Sequence, residues 1–126
     1  MTASDTYTIS VTVTDKDAGV GTGTTSVTVN NVAPSDLTAN LSDDEINEGD
    51  STTLGGSFTD PGTQDTHTVT IVWGDGSPNT VLNLAAGVLT YSSAHTYADD
   101  NATDSYTIGV TVTDDDSGST STTTPP

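Results

Sequence analysis

A segment of alternating residues occurs twice in this chain, and it limits the fold more than any other feature. Residues 5–15 read Asp-Thr-Tyr-Thr-Ile-Ser-Val-Thr-Val-Thr-Asp, and residues 104–114, 99 positions later, read the same except for Ser105 and Gly109. When the comparison continues to Gly19 and Gly118, 11 of 15 positions are identical. Side chains alternate between the two faces of a strand, so Tyr, Ile, Val and Val share one face. The repeat predicts half-buried strands in a tandem array whose period is roughly one domain.

The overall composition alone would indicate disorder. Apolar residues make up 30% of the chain, 28 of its 126 residues are threonine, and the formal net charge is −17. Such a chain buries little apolar surface to offset the entropy that is lost on folding. The regular alternation of β-branched and polar residues favours folded strands instead. We therefore predict a folded all-β chain with a thin core.

The charge balance excludes several classes of partner. One Lys or Arg stands against 18 Asp and Glu, so the chain lacks the cations that would neutralise nucleic-acid phosphates or an anionic membrane surface. No segment approaches the roughly 20 apolar residues of a membrane helix, and without cysteine there are no disulfides or thiolate metal sites. The acidic surplus is self-repulsive unless counter-ions gather at the carboxylates, and divalent cations are the obvious candidates.

The first copy of the repeat continues into a second alternating strand at residues 22–29, which predicts a hairpin over residues 5–30. We assign residues 1–33 to the terminal hairpin of a preceding repeat and its junction. Residues 34–126 are assigned to one domain that lacks most of its last strand. Polar residues directly follow Met1, so no signal peptide is expected and the chain resembles a piece of a longer protein. Neighbouring repeats are therefore the first partners expected.

Seven short strands are predicted in the second region, at residues 37–41, 51–59, 66–72, 80–84, 88–97, 104–114 and 119–124. No helical periodicity interrupts them, so we predict a two-sheet antiparallel sandwich. The strands at 80–84 and 88–97 are expected to pair as a hairpin across Ala85-Ala86-Gly87. Gly55-Gly56 is expected to mark a β-bulge.

The only tryptophan ends an alternating strand directly before a Gly-Asp-Gly turn, which places the largest apolar side chain at the centre of the core. The predicted core residues are Trp73, Phe58, Tyr97 and Tyr106. Asp75 is interpreted as a turn-former, His67 as a solvent-facing strand residue, and His95 as a packed or hydrogen-bonded ring.

An ordered set of motifs spans residues 34–124: Ser57-Phe58-Thr59-Asp60-Pro61-Gly62, Trp73-Gly74-Asp75-Gly76, His95-Thr96-Tyr97, and a strand from Tyr106 to Val112 followed by Asp114 and Gly118. In this order the motifs resemble the PKD (polycystic kidney disease) domain of bacterial surface and secreted proteins. The form Trp-Gly-Asp-Gly is shorter than the usual PKD pattern, and the final strand is incomplete. The resemblance implies an immunoglobulin-like β-sandwich, often stabilised by calcium, that acts outside the cell as a spacer or adhesive module without catalysis.

Acidic loops are brought together at the two ends of such a sandwich. Calcium takes about six to eight oxygen ligands from carboxylates, Asn side chains and backbone carbonyls. The candidate ligands at the end where the domain begins are Asn31, Asp60, Asp65, Asp114 and Asp116. A second, weaker group at the far end consists of Glu48, Asp99 and Asp104. The alternative is that these acids only keep the loops soluble.

The chain is not expected to be an enzyme. Its His, Ser and Asp residues could be arranged into a triad, but no Gly-x-Ser-x-Gly turn is present. Paired carboxylates lack the aromatic cleft of a glycosidase, and Lys16 lies in a turn, which argues against an intramolecular isopeptide bond.

The favoured function is a spacer repeat of a large extracellular protein, rigidified by calcium at the junctions between repeats. The rival function is an adhesive module that binds a carbohydrate or a protein. That module would need a contiguous exposed aromatic or apolar patch, and the sequence shows none.

An incomplete last strand would leave a sheet edge exposed, and exposed edges recruit strands. The hairpin at residues 5–30 contains the strand that is missing. The six-residue junction at 30–35 reaches only about 20 Å, whereas a ten-residue strand is about 33 Å long. We therefore predict exchange between chains, in which the hairpin of one chain completes the sheet of another and produces a homo-oligomer.

Overall fold

The computed structural model describes residues 4–124, and its regular structure there is entirely β-strand. The chain divides into two compact units, Met1–Asn31 and Val32–Pro126. Among the described residues, no helix has the length and apolarity that a membrane span requires.

The first unit is an antiparallel hairpin of β1 (Ser4–Thr14) and β2 (Val20–Asn30). The two strands pair without interruption from Ser4 opposite Asn30 to Thr14 opposite Val20. The predicted hairpin is therefore confirmed. The turn between the strands is closed by the Asp15 carboxylate, whose Oδ1 accepts the backbone N–H groups of Asp17 at 2.9 Å and Gly19 at 2.8 Å.

Within its described residues, 32–124, the second unit contains seven strands in two antiparallel sheets. The strands are β3 (Asn40–Leu41), β4 (Ser51–Ser57), β5 (His67–Val72), β6 (Thr80–Leu84), β7 (Thr90–Thr96), β8 (Ile108–Asp114) and β9 (Ser119–Thr124). One sheet has the order β3-β4-β7 and the other has the order β6-β5-β8-β9. The two sheets form a sandwich-like arrangement that is compatible with an immunoglobulin-like β-sandwich. The predicted fold class is confirmed.

The core is built from alternate residues of the central strands, as the period of two requires. Trp73, Phe58 and Tyr97 are buried at 0%, 3% and 7% exposure, so these three core predictions are confirmed. Tyr97 also donates a hydrogen bond from its hydroxyl to the backbone oxygen of Trp73 at 2.8 Å. Tyr106 is only half-buried and packs against the edge of the core, with its ring 4.9 Å from that of Tyr97.

The predicted pairing of residues 80–84 with 88–97 is wrong. β6 pairs with β5, where Leu82 lies opposite Val69, and β7 pairs with β4 in the other sheet. The turn itself exists, since the Val88 N–H donates to the Ala85 oxygen at 3.1 Å. The segment after the turn crosses to the other sheet, and the Phe58 N–H donates to the Leu89 oxygen at 3.1 Å.

Gly55-Gly56 does not form a bulge, because the β4–β7 register continues through both residues. The glycine serves close packing instead. A Cβ at Gly56 would lie 2.0 Å from the Thr38 backbone oxygen, the same oxygen that accepts the Tyr91 hydroxyl at 2.6 Å. The strand predicted at residues 37–41 is shorter in the structure, where β3 comprises Asn40–Leu41.

The last strand has the predicted bounds. β9 pairs with β8 from Ser119 opposite Thr113 to Thr124 opposite Ile108, and it is shorter than the equivalent strand β2 of the first hairpin. The strand predicted from residue 104 begins only at Ile108. Residues 104–107 lie outside the strands, although the matching residues of β1 pair with the end of β2.

Candidate metal centre

Three elements of the second unit bring carboxylates together at one end of the sandwich. Asp60 follows β4, Asp65 precedes β5, and Asp114 is the last residue of β8. One carboxylate oxygen from each lies within 4.8 Å of the others. Asp65 and Asp114 are 5% and 4% exposed. The arrangement concentrates negative charge in a place that water reaches poorly.

A second group overlaps the first through Asp65. Oxygens of Asp65, Asp115 and Asp116 also lie within 4.8 Å of one another. Burial raises the pKa of the Asp65 carboxyl, and the negative charges of Asp60, Asp115, Asp114 and Asp116 raise that pKa further. A raised carboxyl pKa indicates that the charged form is destabilised where it lies.

Two glycines allow these carboxylates to approach the backbone. A Cβ at Gly62 would lie 2.1 Å from Asp65 Oδ2, and a Cβ at Gly118 would lie 2.6 Å from Asp114 Oδ2. The Gly62 N–H donates to Asp60 Oδ1 at 2.8 Å, and the Gly118 N–H donates to Asp114 Oδ1 at 2.7 Å. Asp60 and Asp114 therefore each have one carboxylate oxygen bound to a backbone N–H, which fixes the direction of the other oxygen.

His67 completes the buried end. Its Nε2 lies 2.8 Å from Asp60 Oδ2, and the two side chains are 1% and 0% exposed. The ring also packs 4.8 Å from that of Phe58, while Nδ1 is buried without a hydrogen-bond partner among the described residues. The prediction that His67 faces solvent is wrong, because His67 shares the inward face of β5 with Val69 and Ile71.

The structure brings together four of the five acids and amides predicted at this end: Asp60, Asp65, Asp114 and Asp116. Asn31 is the last residue of the first unit, and its contribution stays a prediction. Asp115 was missed. The run Asp114-Asp115-Asp116 is the sequence signal that identifies it.

The far end of the sandwich carries a more exposed acidic group. Oxygens of Glu48, Asp99 and Asp100 lie within 4.8 Å, and all three residues are exposed. A hydrogen bond with Asp99 and the charge of Asp100 raise the pKa of Glu48. Asp104, which was predicted here, is outside this group, although it lines the same cleft of about 490 Å³.

The Gly-Asp-Gly turn holds a second His–Asp pair. His95 Nε2 lies 2.8 Å from Asp75 Oδ2, and the His95 ring stacks on Trp73 at 4.4 Å. The Ser77 N–H donates to Asp75 Oδ1 at 3.0 Å, so the interpretations of Asp75 as a turn-former and His95 as a packed ring are confirmed.

Burial alone would raise the pKa of Asp75, but hydrogen bonds from Ser77 and His95 outweigh it and lower the pKa to about 2. Ser77 and Asp75 both approach the same ring nitrogen, Nε2, at 3.5 and 2.8 Å. A catalytic triad needs the acid and the nucleophile on different ring nitrogens. This group therefore stabilises the turn and lacks triad geometry.

Comparison of this chain with protein-family models, with curated proteins and with solved structures finds no match. The PKD resemblance consequently rests on the motifs of the chain itself.

Proposed function

We propose that this chain is a spacer repeat of a large extracellular protein, similar to PKD domains, and that its acidic end binds Ca²⁺ to stiffen the junction between repeats. The observation that carries the proposal is the buried cluster of Asp60, Asp65 and Asp114. The cluster lies where the chain enters the domain, since a Cβ at Gly118 would be 2.9 Å from Ala33. A cation bound there would sit beside the connection to the preceding repeat.

The donor set fits a hard cation. All five clustered acids, Asp60, Asp65, Asp114, Asp115 and Asp116, offer carboxylate oxygens. Calcium prefers such oxygens and tolerates irregular geometry, whereas zinc is usually bound through Cys or His as well. His67 is already engaged with Asp60 through Nε2. When bound, Ca²⁺ would supply the positive charge that this end lacks.

Electrostatics supports the same conclusion. Buried carboxylates repel one another and are poorly solvated, so they need a cation, a proton or hydrogen bonds. The whole chain contains one Lys or Arg, and Lys16 is paired with Asp17 in the hairpin at 3.2 Å. An external cation is therefore the natural counter-charge for the cluster.

The test is thermal unfolding of the full chain in a calcium titration, with a chelator as reference. Calcium is expected to raise Tm, because a ligand that binds only the native state stabilises it by mass action. Asp65→Asn should lose most of this rise. Asp44→Asn removes an exposed acid that lines the cleft at the opposite end; it is the matched control and should retain the rise. If millimolar calcium leaves Tm unchanged, the metal part of the proposal fails and a plain spacer remains.

A further inference from the structure

One face of the hairpin unit is apolar and open, so the expectation that the chain has no contiguous exposed apolar patch is wrong. The face consists of every second side chain of β1 and of the β2 side chains opposite them, because residues directly opposite each other in a sheet share a face. The members of this face are Tyr7, Ile9, Val11, Val13, Val27 and Val29, which are 45–67% exposed. An isolated two-stranded hairpin is marginal in water, so a face of this kind needs a partner.

The second copy of the repeat shows what kind of partner the face fits. Ile108, Val110 and Val112 of β8 are the equivalents of Ile9, Val11 and Val13. They are 1%, 1% and 0% exposed, and they belong to the core cluster that also contains Leu54 of β4 and Tyr91 of β7. The same apolar pattern is therefore buried when the β3-β4-β7 sheet lies opposite it.

The turns of the two hairpins have the same structure. Asp114 Oδ1 accepts the N–H groups of Asp116 at 2.9 Å and Gly118 at 2.7 Å, as Asp15 does in the first hairpin. Ala18 and Ser117, at equivalent positions, both have positive φ, at 69° and 74°. The hairpins thus match in backbone as well as in sequence.

We propose that the β1–β2 hairpin of one chain takes the place of β8–β9 in the sandwich of a second copy. In this arrangement Val11 and Val13 occupy the positions of Val110 and Val112, opposite Ile71 and Val69 of the acceptor. Asp15 then lies opposite His67, as Asp114 does now. The proposal does not depend on calcium and does not rest on the proposed function.

A hairpin cannot reach this position in its own chain. Within the second unit, Ala33 lies beside Gly118, at the turn end of β8–β9. In the exchanged position Asn30 would lie at the opposite end of an eleven-residue strand, about 33 Å away. The three residue steps from Asn30 to Ala33 span only about 10 Å. The sandwich of residues 32–126 in the same chain is therefore out of reach, and the acceptor that we propose is that of a second copy.

The exchange replaces one apolar face with an equivalent one. Each hairpin that docks covers Ile9, Val11 and Val13 but uncovers the Ile108, Val110 and Val112 that it displaces, so these residues contribute little net burial. The gain comes from β2, which extends five residues beyond the position equivalent to Thr124. It brings Val27 and Val29 to the end where residues 104–107 have no ladder.

The native β8–β9 hairpin competes for the same position. It is joined to β7 by a short connection, residues 97–107, which gives it a high effective concentration. The closed form therefore dominates in dilute solution, and exchange increases with protein concentration or when β8 is weakened.

The first experiment weakens β8. Val110→Asp places a charge in the core, so the variant should fold only by exchange and should be dimeric or larger in light scattering. The matched variant Val11→Asp, at the equivalent exposed position, should remain folded and monomeric. Val110→Asp combined with Val11→Asp should lose both folding and association. A double variant that associates like Val110→Asp alone would overturn the proposal.

The second experiment decides the matter if Val110→Asp does not fold. The chain has no cysteine, and Thr111 lies opposite Thr70, so the pair Thr70→Cys and Thr111→Cys should form a disulfide within one chain. Thr12 is the equivalent of Thr111. The pair Thr70→Cys and Thr12→Cys should give disulfide-linked dimers whose yield rises with concentration. Yields no higher than for Thr70→Cys with Thr24→Cys, or a link within one chain, would overturn the proposal.

Discussion

The two copies of one hairpin differ in what surrounds them, and the difference separates local from tertiary causes of structure. Both copies form antiparallel strands and the same Asp-capped turn. Ile9 is 48% exposed in the first copy, whereas Ile108 is 1% exposed in the second. The local sequence therefore determines the hairpin, and burial depends on whether a second sheet lies opposite it.

The largest expected effect comes from truncating this matched pair of isoleucines. Ile108→Ala should lower the free energy of unfolding by about 2–5 kcal/mol, because it removes buried methyl groups and leaves a cavity. Ile9→Ala should change it by less than about 0.5 kcal/mol, since its side chain is half-exposed. Urea unfolding, monitored by the fluorescence of Trp73, measures both changes in free energy. Equal losses in the two variants would show that the hairpin face is already covered in solution.

The two aspartate turns provide the next test. Asp114 lies near Asp60 and Asp65, whereas Asp15 has the same turn hydrogen bonds and belongs to no such group among the described residues. Calcium at about 100 times its Kd would stabilise the native state by about 2.7 kcal/mol. Asp114→Asn should lose that stabilisation, and Asp15→Asn should keep it. Calorimetric titration at neutral pH checks both variants, and a similar loss in both would place the site elsewhere.

The same comparison explains how far the sequence could predict the structure. Alternation predicts the hairpin and the burial of Trp73 and Phe58, because period-two burial is a local property. Alternation also places His67 on the same face of the strand as Val69 and Ile71. Because histidine is polar, its residue type nevertheless predicts a position on the solvent-facing side. The sheet that β6 joins is not a local property. Ala85-Ala86-Gly87 forms the same turn whether the next strand pairs beside β6 or crosses to the other sheet.

At the acidic end of the sandwich, too, one part of the structure could be predicted from the sequence and another part could not. Loop order predicts that Asp60, Asp65 and Asp114 meet, because the connections at one end of a sandwich lie together. The participation of Asp115 depends on how the turn after β8 directs consecutive side chains, which alternation does not determine. At the far end, Asp100 rather than Asp104 joins Glu48 and Asp99 for the same reason.

Asp75 and Asp65 have pKa values shifted in opposite directions. The shift of Asp75 affects stability in acid, and its expected effect is smaller than that of calcium. The folded-state pKa of Asp75 is about 2, below its unfolded value of about 3.9. Its contribution, on the order of 2 kcal/mol, is therefore present above about pH 4 and is lost as the pH falls towards 2. Asp75→Asn should reduce this decline in unfolding free energy between pH 4 and 2. An unchanged slope would show that the His95 and Ser77 contacts do not hold the carboxylate in its charged form.

The smallest expected effect belongs to Asp65, whose pKa is raised by burial and by the surrounding acids. In the folded state its charge is destabilising at neutral pH, and this penalty disappears as the pH falls and the carboxyl is protonated. In chelator at pH 7, Asp65→Asn should therefore raise the free energy of unfolding by up to about 1 kcal/mol, because it removes repulsion and keeps the shape. In saturating calcium the same variant should be less stable than the wild type. If Asp65→Asn lowers the free energy of unfolding under both conditions, the Asp65 carboxylate stabilises the fold by itself, without a cation. If the variant raises this free energy in chelator and lowers it in calcium, the charge of Asp65 acts through the bound ion.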